Sequence, residues 1–174
     1  MKELLIKLEQ ALRAKRPKVA RALRPGLSEA QITAVLNRAK PSRKIDAAVG
    51  FYSWKDGADT AQAQESFFPN SIYQFLPLEA AVEHCANLQK AVQVLTELGG
   101  PVEMPNEPER YLPAFWDGAT GYLALDLKQG MSNRVMEIEF ESEEPFREVC
   151  DSFEAFLAEA TRAIQENETP RFLT

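Results

Sequence analysis

The chain has 174 residues, 45% of them hydrophobic, with 20 Lys and Arg, 26 Asp and Glu, and one His. That length fits one domain, and that apolar share is enough for a packed core. Two distant cysteines and a lone histidine argue against a Cys/His zinc site. The charged start is no signal-peptide core, and no apolar run reaches the roughly 18 residues that a membrane span needs. The composition reads as a cytoplasmic protein with reduced thiols.

The net charge of −6 hides an asymmetry. Residues 1–44 carry 12 basic and 3 acidic side chains, 12 − 3 = +9, and residues 45–174 carry 8 and 23, 8 − 23 = −15. An acidic body repels a phosphate backbone, which argues against nucleic acid as the main ligand. A basic arm on such a body suits contact with a partner or with the body itself.

Leu4, Leu5, Leu8, Ala11 and Leu12 recur at helical spacing and predict an amphipathic helix over residues 3–15. Pro17 starts a short second helix carrying Val19, Ala22 and Leu23, and Pro25-Gly26 makes a turn. Ser28 caps a third helix, with Gln31 placed to complete a capping box. Ser42 caps a fourth, carrying Ile45, Ala48, Val49 and Tyr52, which ends near Trp54 before the Asp56-Gly57 turn. Residues 58–66 read as an exposed loop.

Phe67-Phe68-Pro69 and Ile72-Tyr73-Gln74-Phe75 read as strand pieces around an Asn-Ser turn. A long helix follows. Its stripe is Leu78, Ala81, Val82, Cys85, Leu88, Val92, Leu95 and Leu98, and Gly99-Gly100 stops it. Residues 101–110 read as a proline-stiffened loop, and Tyr111–Gly118 as a turn. Two strands come next. Leu123, Leu125 and Leu127 alternate with Tyr122, Ala124 and Asp126. Met136, Ile138 and Phe140 alternate with Val135, Glu137, Glu139 and Glu141. This predicts an antiparallel hairpin with one buried and one wet face. Asp151 caps a last helix, whose stripe is Phe153, Phe156, Leu157, Ala160 and Ile164. The class is α+β: a single domain with helices packed around a mainly antiparallel sheet.

The candidates for chemistry are few. His84 lies at the edge of its helix stripe, where a boundary histidine is the plainer reading than a general base. Cys85 is on the apolar side. Cys150 precedes a helix, which favours a thiolate, but the neighbouring glutamates do not. No phosphate-binding loop is present. Asp126, Glu137, Glu139 and Glu141 lie too far apart along their strands, about 6–7 Å between alternate residues, to chelate one ion without help. Phe67, Phe68, Tyr73, Phe75, Tyr111, Phe115 and Trp116 read as core, with a ligand pocket as the rival reading. The reading assigns no catalytic, metal or cofactor-binding residue. It leaves Asp126, Glu137, Glu139, Glu141, Glu143 and Glu144 either as a solvated acidic face or as a docking surface for a protein.

Several short motifs occur in a distinctive order. They are Phe51-Tyr52-Ser53-Trp54 with Asp56-Gly57, Phe75-Leu76-Pro77-Leu78-Glu79-Ala80-Ala81, Tyr111-Leu112-Pro113, Asp117-Gly118, Gly121 to Leu127, and Ser152-Phe153 with Phe156-Leu157. Together they resemble the SUKH superfamily of fungal cell-wall-synthesis regulators and bacterial immunity proteins, over roughly residues 27–160. The resemblance implies one α+β domain without enzyme activity or cofactor. It also implies a protein partner: for bacterial members, a nuclease or deaminase toxin neutralised by direct binding. The matched residues are fold determinants, with Asp126 a possible exception. Residues 1–24 depart from the pattern as a basic helical extension to a domain at 25–174. The short loop after Gly57 and the acidic second hairpin strand depart too. The sequence thus supports two roles: an immunity protein against a basic toxin domain, or a regulator or scaffold with several cellular partners.

Overall fold

A computed structural model describes residues 1–39, 46–63, 65–97, 110–127, 133–142 and 144–174. The fold is α+β in a single domain. Its helices are α1 (Lys2–Lys15), α2 (Pro17–Ala22), α3 (Glu29–Ala39), α4 (Asp46–Trp54), α5 (Thr60–Ala63), α6 (Leu78–Glu97) and α7 (Phe153–Glu166). The strands β3 (Gln74–Phe75), β4 (Tyr111–Trp116), β5 (Gly121–Asp126), β6 (Val135–Glu139) and β7 (Phe146–Cys150) form an antiparallel sheet in sequence order. β1 (Leu23–Pro25) and β2 (Lys55–Ala58) form a separate pair.

Local signals place the helix starts. Pro17 stands at the first turn of α2. Ser28 and Gln31 make the reciprocal capping box, with Ser28 N donating to Gln31 Oε1 at 2.9 Å and Gln31 N to Ser28 Oγ at 3.4 Å. α7 is capped by Ser152, which accepts from Ala155 N at 3.2 Å, and not by Asp151. The starting residue shifts by one because Ser152 is the extended residue with its oxygen over the first turn.

Strands were harder to place. Tyr111–Trp116, expected as a turn, is β4, and it accommodates Pro113 at a register shift between Pro113 and Phe115. β7 was not anticipated: Phe-Arg-Glu-Val-Cys lacks a clear apolar alternation and lies at the sheet edge. Leu23–Pro25 pairs with β2 across what read as a helix end, and residues 60–63 are helical where a loop was expected. Phe67-Phe68-Pro69 is buried but outside any strand, and Ile72 is 65% exposed. The expected Ser42 cap, the Gly99-Gly100 stop and the proline loop at 101–109 lie outside the described residues, as do Leu98 and loop residues 128–132.

The expected wet face of the hairpin is corrected, because both faces of β5 are buried. Leu123 pairs with Glu137 and Leu125 with Val135, while Ala124 pairs with Met136 and Tyr122 with Ile138. Side chains alternate along a strand, so this register sends Leu123, Leu125, Val135, Glu137 and Glu139 to one side. Asp126, Ala124, Tyr122, Met136 and Ile138 go to the other. The first side meets a core built from α1, α3, α4, α6 and α7, with Phe51, Phe75, Phe115, Phe153 and Phe156 at its centre. On the second side, Leu88 of α6 joins Tyr111, Tyr122, Ala124, Met136 and Ile138.

The stretch 1–24 shares the larger core. Leu5, Leu8 and Leu12 are buried there, α1 packs along α7, and Trp54 Nε1 donates to Glu9 at 2.9 Å. The leucine stripe of α1 is therefore unavailable as a free helix for docking elsewhere.

Candidate functional site

The carboxylates singled out from sequence fall into two groups. Asp126 is enclosed, with a side chain that has no solvent exposure. Arg110 Nη2 donates to its Oδ2 at 2.8 Å and Arg134 Nη2 at 3.1 Å, and Arg134 also reaches Glu148 at 2.5 Å. A buried carboxylate between two guanidiniums is a fold element, so Asp126 is withdrawn from the docking surface. Glu137 stands across the sheet from it. Its Oε2 receives Nε and Nη2 of Arg147 at 3.0 and 2.5 Å, and Tyr73 Oη donates to its Oε1 at 3.3 Å. Arg147 also donates to the carbonyl of Phe172, so the C-terminal turn (Arg171–Leu173) is tied beside Glu137. Burial and the charges of Glu137, Asp117 and Glu139 push the Tyr73 hydroxyl well above its ordinary value, so it stays a donor.

The remaining glutamates lie toward one end of the sheet. Glu139 accepts from Thr120 Oγ1 at 2.8 Å, and its second oxygen converges with Asp117 over Gly121. A Cβ placed at Gly121 would stand 2.6 Å from Asp117 Oδ2 and 2.8 Å from Glu139 Oε2. Glu141 and Glu144 are exposed in the β6–β7 turn, where Glu144 N donates to Ser142 Oγ at 3.2 Å. Among the described residues, no Lys or Arg pairs with Asp117, Glu139, Glu141 or Glu144. Glu143 lies outside the described residues. Asp117 was read only as a turn residue. It joins the glutamates because Asp117 N bonds to Gly121 O, closing the β4–β5 turn beside β6.

The candidate catalytic side chains are placed unfavourably for chemistry. Cys150 is half-buried, and burial together with Asp151, Glu159 and Glu148 pushes its thiol up to about 11. A thiol so disposed is a weak nucleophile at neutral pH. Cys85 is buried on α6, and neither cysteine is in a disulfide. Burial pushes the His84 imidazole below its ordinary value, against an opposing contribution from Glu83. Its Nδ1 lies 3.1 Å from Tyr122 Oη, and its ring packs 4.8 Å from that of Trp116. Of the aromatics weighed as a pocket, Phe67, Phe68, Phe75 and Phe115 are core and Tyr111 belongs to the α6 face, while Trp116 is half-buried.

Trp116 and His84 line a groove of about 700 Å³ that no sequence motif announced. Its walls come from α2, β1, β2, α5, β3, α6 and the end of β4, with Arg21, Arg24, Gln62 and Gln74 among the polar lining. Gly57 makes this junction possible. It takes φ +73°, and a Cβ there would stand 2.3 Å from Pro77 N, so only glycine lets β2 approach the start of α6. Asp56 secures the same corner, accepting from Leu78 N at 2.8 Å and forming an ion pair with Arg24 at 2.9 Å.

No protein-family model matches the chain, and no curated protein matches it.

Proposed function

We propose that this chain is a non-enzymatic protein-binding module. Its most specific reading is an immunity protein that neutralises a basic toxin domain of nuclease or deaminase type by direct binding. One observation carries this. The enclosed carboxylate Asp126 and its neighbours Glu137 and Glu148 are matched to arginines, whereas Asp117, Glu139, Glu141 and Glu144, at one end of a well-packed sheet, pair with no cation among the described residues. Unmatched charge on a rigid support attracts an oppositely charged partner and speeds its association. The motif order that resembles the SUKH superfamily supports the same reading.

The test is protection in cells. The chain is co-expressed with the product of the neighbouring gene, alongside Glu139→Lys, Glu141→Lys and Glu144→Lys combined. Wild type is expected to relieve toxicity, and the triple variant to fold but lose protection. A harmless neighbour product, or full protection by the variant, would overturn the proposal. A regulator or scaffold role would show instead as several weak partners recovered from native cells. Leu5, Leu8 and Leu12 of α1 are buried, so such partners would have to use another surface than that stripe.

A further inference from the structure

We propose that the groove between the β1–β2 pair and the start of α6 binds a small planar-ring anion: an aromatic or heterocyclic ring carrying a carboxylate or phosphate group. Its volume of about 700 Å³ falls within the range of roughly 300–1,000 Å³ typical of small-ligand sites.

The cationic side of the groove is built by two arginines. Arg21, in the last turn of α2, is exposed and has no ion-pair partner among the described residues. Arg24 has one bond to the buried Asp56, but its side chain remains 49% exposed. A guanidinium carries five N–H donors, so most of Arg24 is open to a ligand. One carboxylate, Asp59, also lines the groove. Its Oδ1 accepts from Ala61 N and Gln62 N at 3.0 and 3.3 Å, and its Oδ2 from Gln62 Nε2 at 2.8 Å. Those bonds aim it at the start of α5. Two guanidiniums with open donors therefore face one carboxylate already engaged by three donors, and the fork geometry of arginine suits carboxylate and phosphate.

The opposite wall is aromatic and held in place. The Trp116 indole donates to the Ala119 carbonyl at 3.0 Å and packs against His84. Tyr122, whose hydroxyl is kept protonated by burial and by Asp117, places that hydroxyl at His84 Nδ1. That contact and the Trp116 ring hold the imidazole at the groove wall. Pro77, Ala80, Leu23 and Leu76 complete an apolar floor. An aromatic wall opposite a pair of arginines selects a ring and an anion joined in one molecule.

The test is titration of the full chain by calorimetry and tryptophan fluorescence with four probes. Adenosine monophosphate and indole-3-acetate carry both features with different anions; adenosine and inorganic phosphate carry one each. At least one two-feature probe is expected to bind about tenfold or more tightly than either single-feature probe, and its preference separates phosphate from carboxylate ligands. Arg21→Glu should weaken that binding about tenfold or more without altering thermal unfolding, because Arg21 is exposed and has no ion-pair partner among the described residues. Trp116→Phe, which keeps an aromatic wall, should weaken it less. Equal binding of all four probes, no binding of either two-feature probe, or an unchanged Kd in Arg21→Glu would overturn the assignment.

Discussion

Asp126 and Glu139 lie on neighbouring strands but face opposite sides of the sheet, and the fold treats them in opposite ways. Asp126 is sealed on the α6 side between Arg110 and Arg134. Glu139, with Asp117, Glu141 and Glu144 at the sheet end, pairs with no cation among the described residues. A carboxylate taken out of water needs matched donors, or its desolvation outweighs its attraction. One left at the surface needs none and keeps its charge available to a partner. Carboxylates that look alike in sequence thus divide into fold residues and candidate contact residues by the company they keep.

Replacing Asp126 tests the enclosed side most severely. Asp126→Ala leaves two guanidiniums without their shared buried counterion and should cost about 3–5 kcal/mol in denaturant unfolding. A loss below about 1 kcal/mol would mean that the pairs are not structural. Glu137 is intermediate, 20% exposed and bonded to both Arg147 and Tyr73. Glu137→Ala should cost about 1–2 kcal/mol, and the same loss in Arg147→Ala, without further loss in the double variant, would show that the pair acts as a unit.

Glu159 extends the comparison to pH. Its bonds to Arg162 outweigh its partial burial, and the bond from Arg171 N adds to them, holding its carboxyl below the ordinary carboxylate range. A depressed folded value stabilises above the unfolded value, and that contribution disappears as pH falls through the folded one. Glu159→Gln should therefore lower stability by about 1 kcal/mol at neutral pH and lose less than wild type as pH drops below the carboxylate range. Parallel curves for the two proteins would contradict this. The smallest effect belongs to the open side: Glu139→Gln, Glu141→Gln and Glu144→Gln together should leave stability within about 0.5 kcal/mol. A large loss would show these residues to be part of the fold.

Much of the fold was legible because helices announce themselves locally. The Ser28–Gln31 capping box, Pro17 at the start of α2 and the stripes of α1 and α7 are readable from spacing alone. So is the presence of the β5–β6 hairpin, whose strands alternate, although its register sets Leu123 opposite Glu137. Strands without that alternation were not readable. Phe146–Cys150 and Tyr111–Trp116 become strands because a neighbour offers its ladder, Pro113 being tolerated at an irregular register.

By itself, the sequence determined the class, most of the longer helices with their apolar stripes, and the acidic content, because those follow from local periodicity and side-chain chemistry. Only tertiary structure decided which way each strand faced its cover. Periodicity separates the two sides of a strand but does not say that Leu88 of α6 covers one and a core of several helices the other. That choice put Asp126 and Glu137 on opposite faces, drew α1 into the core, and joined Arg21, Arg24, His84 and Trp116 around one groove. Contacts between residues far apart in the chain depend on how whole elements pack, and no short stretch of sequence carries that information.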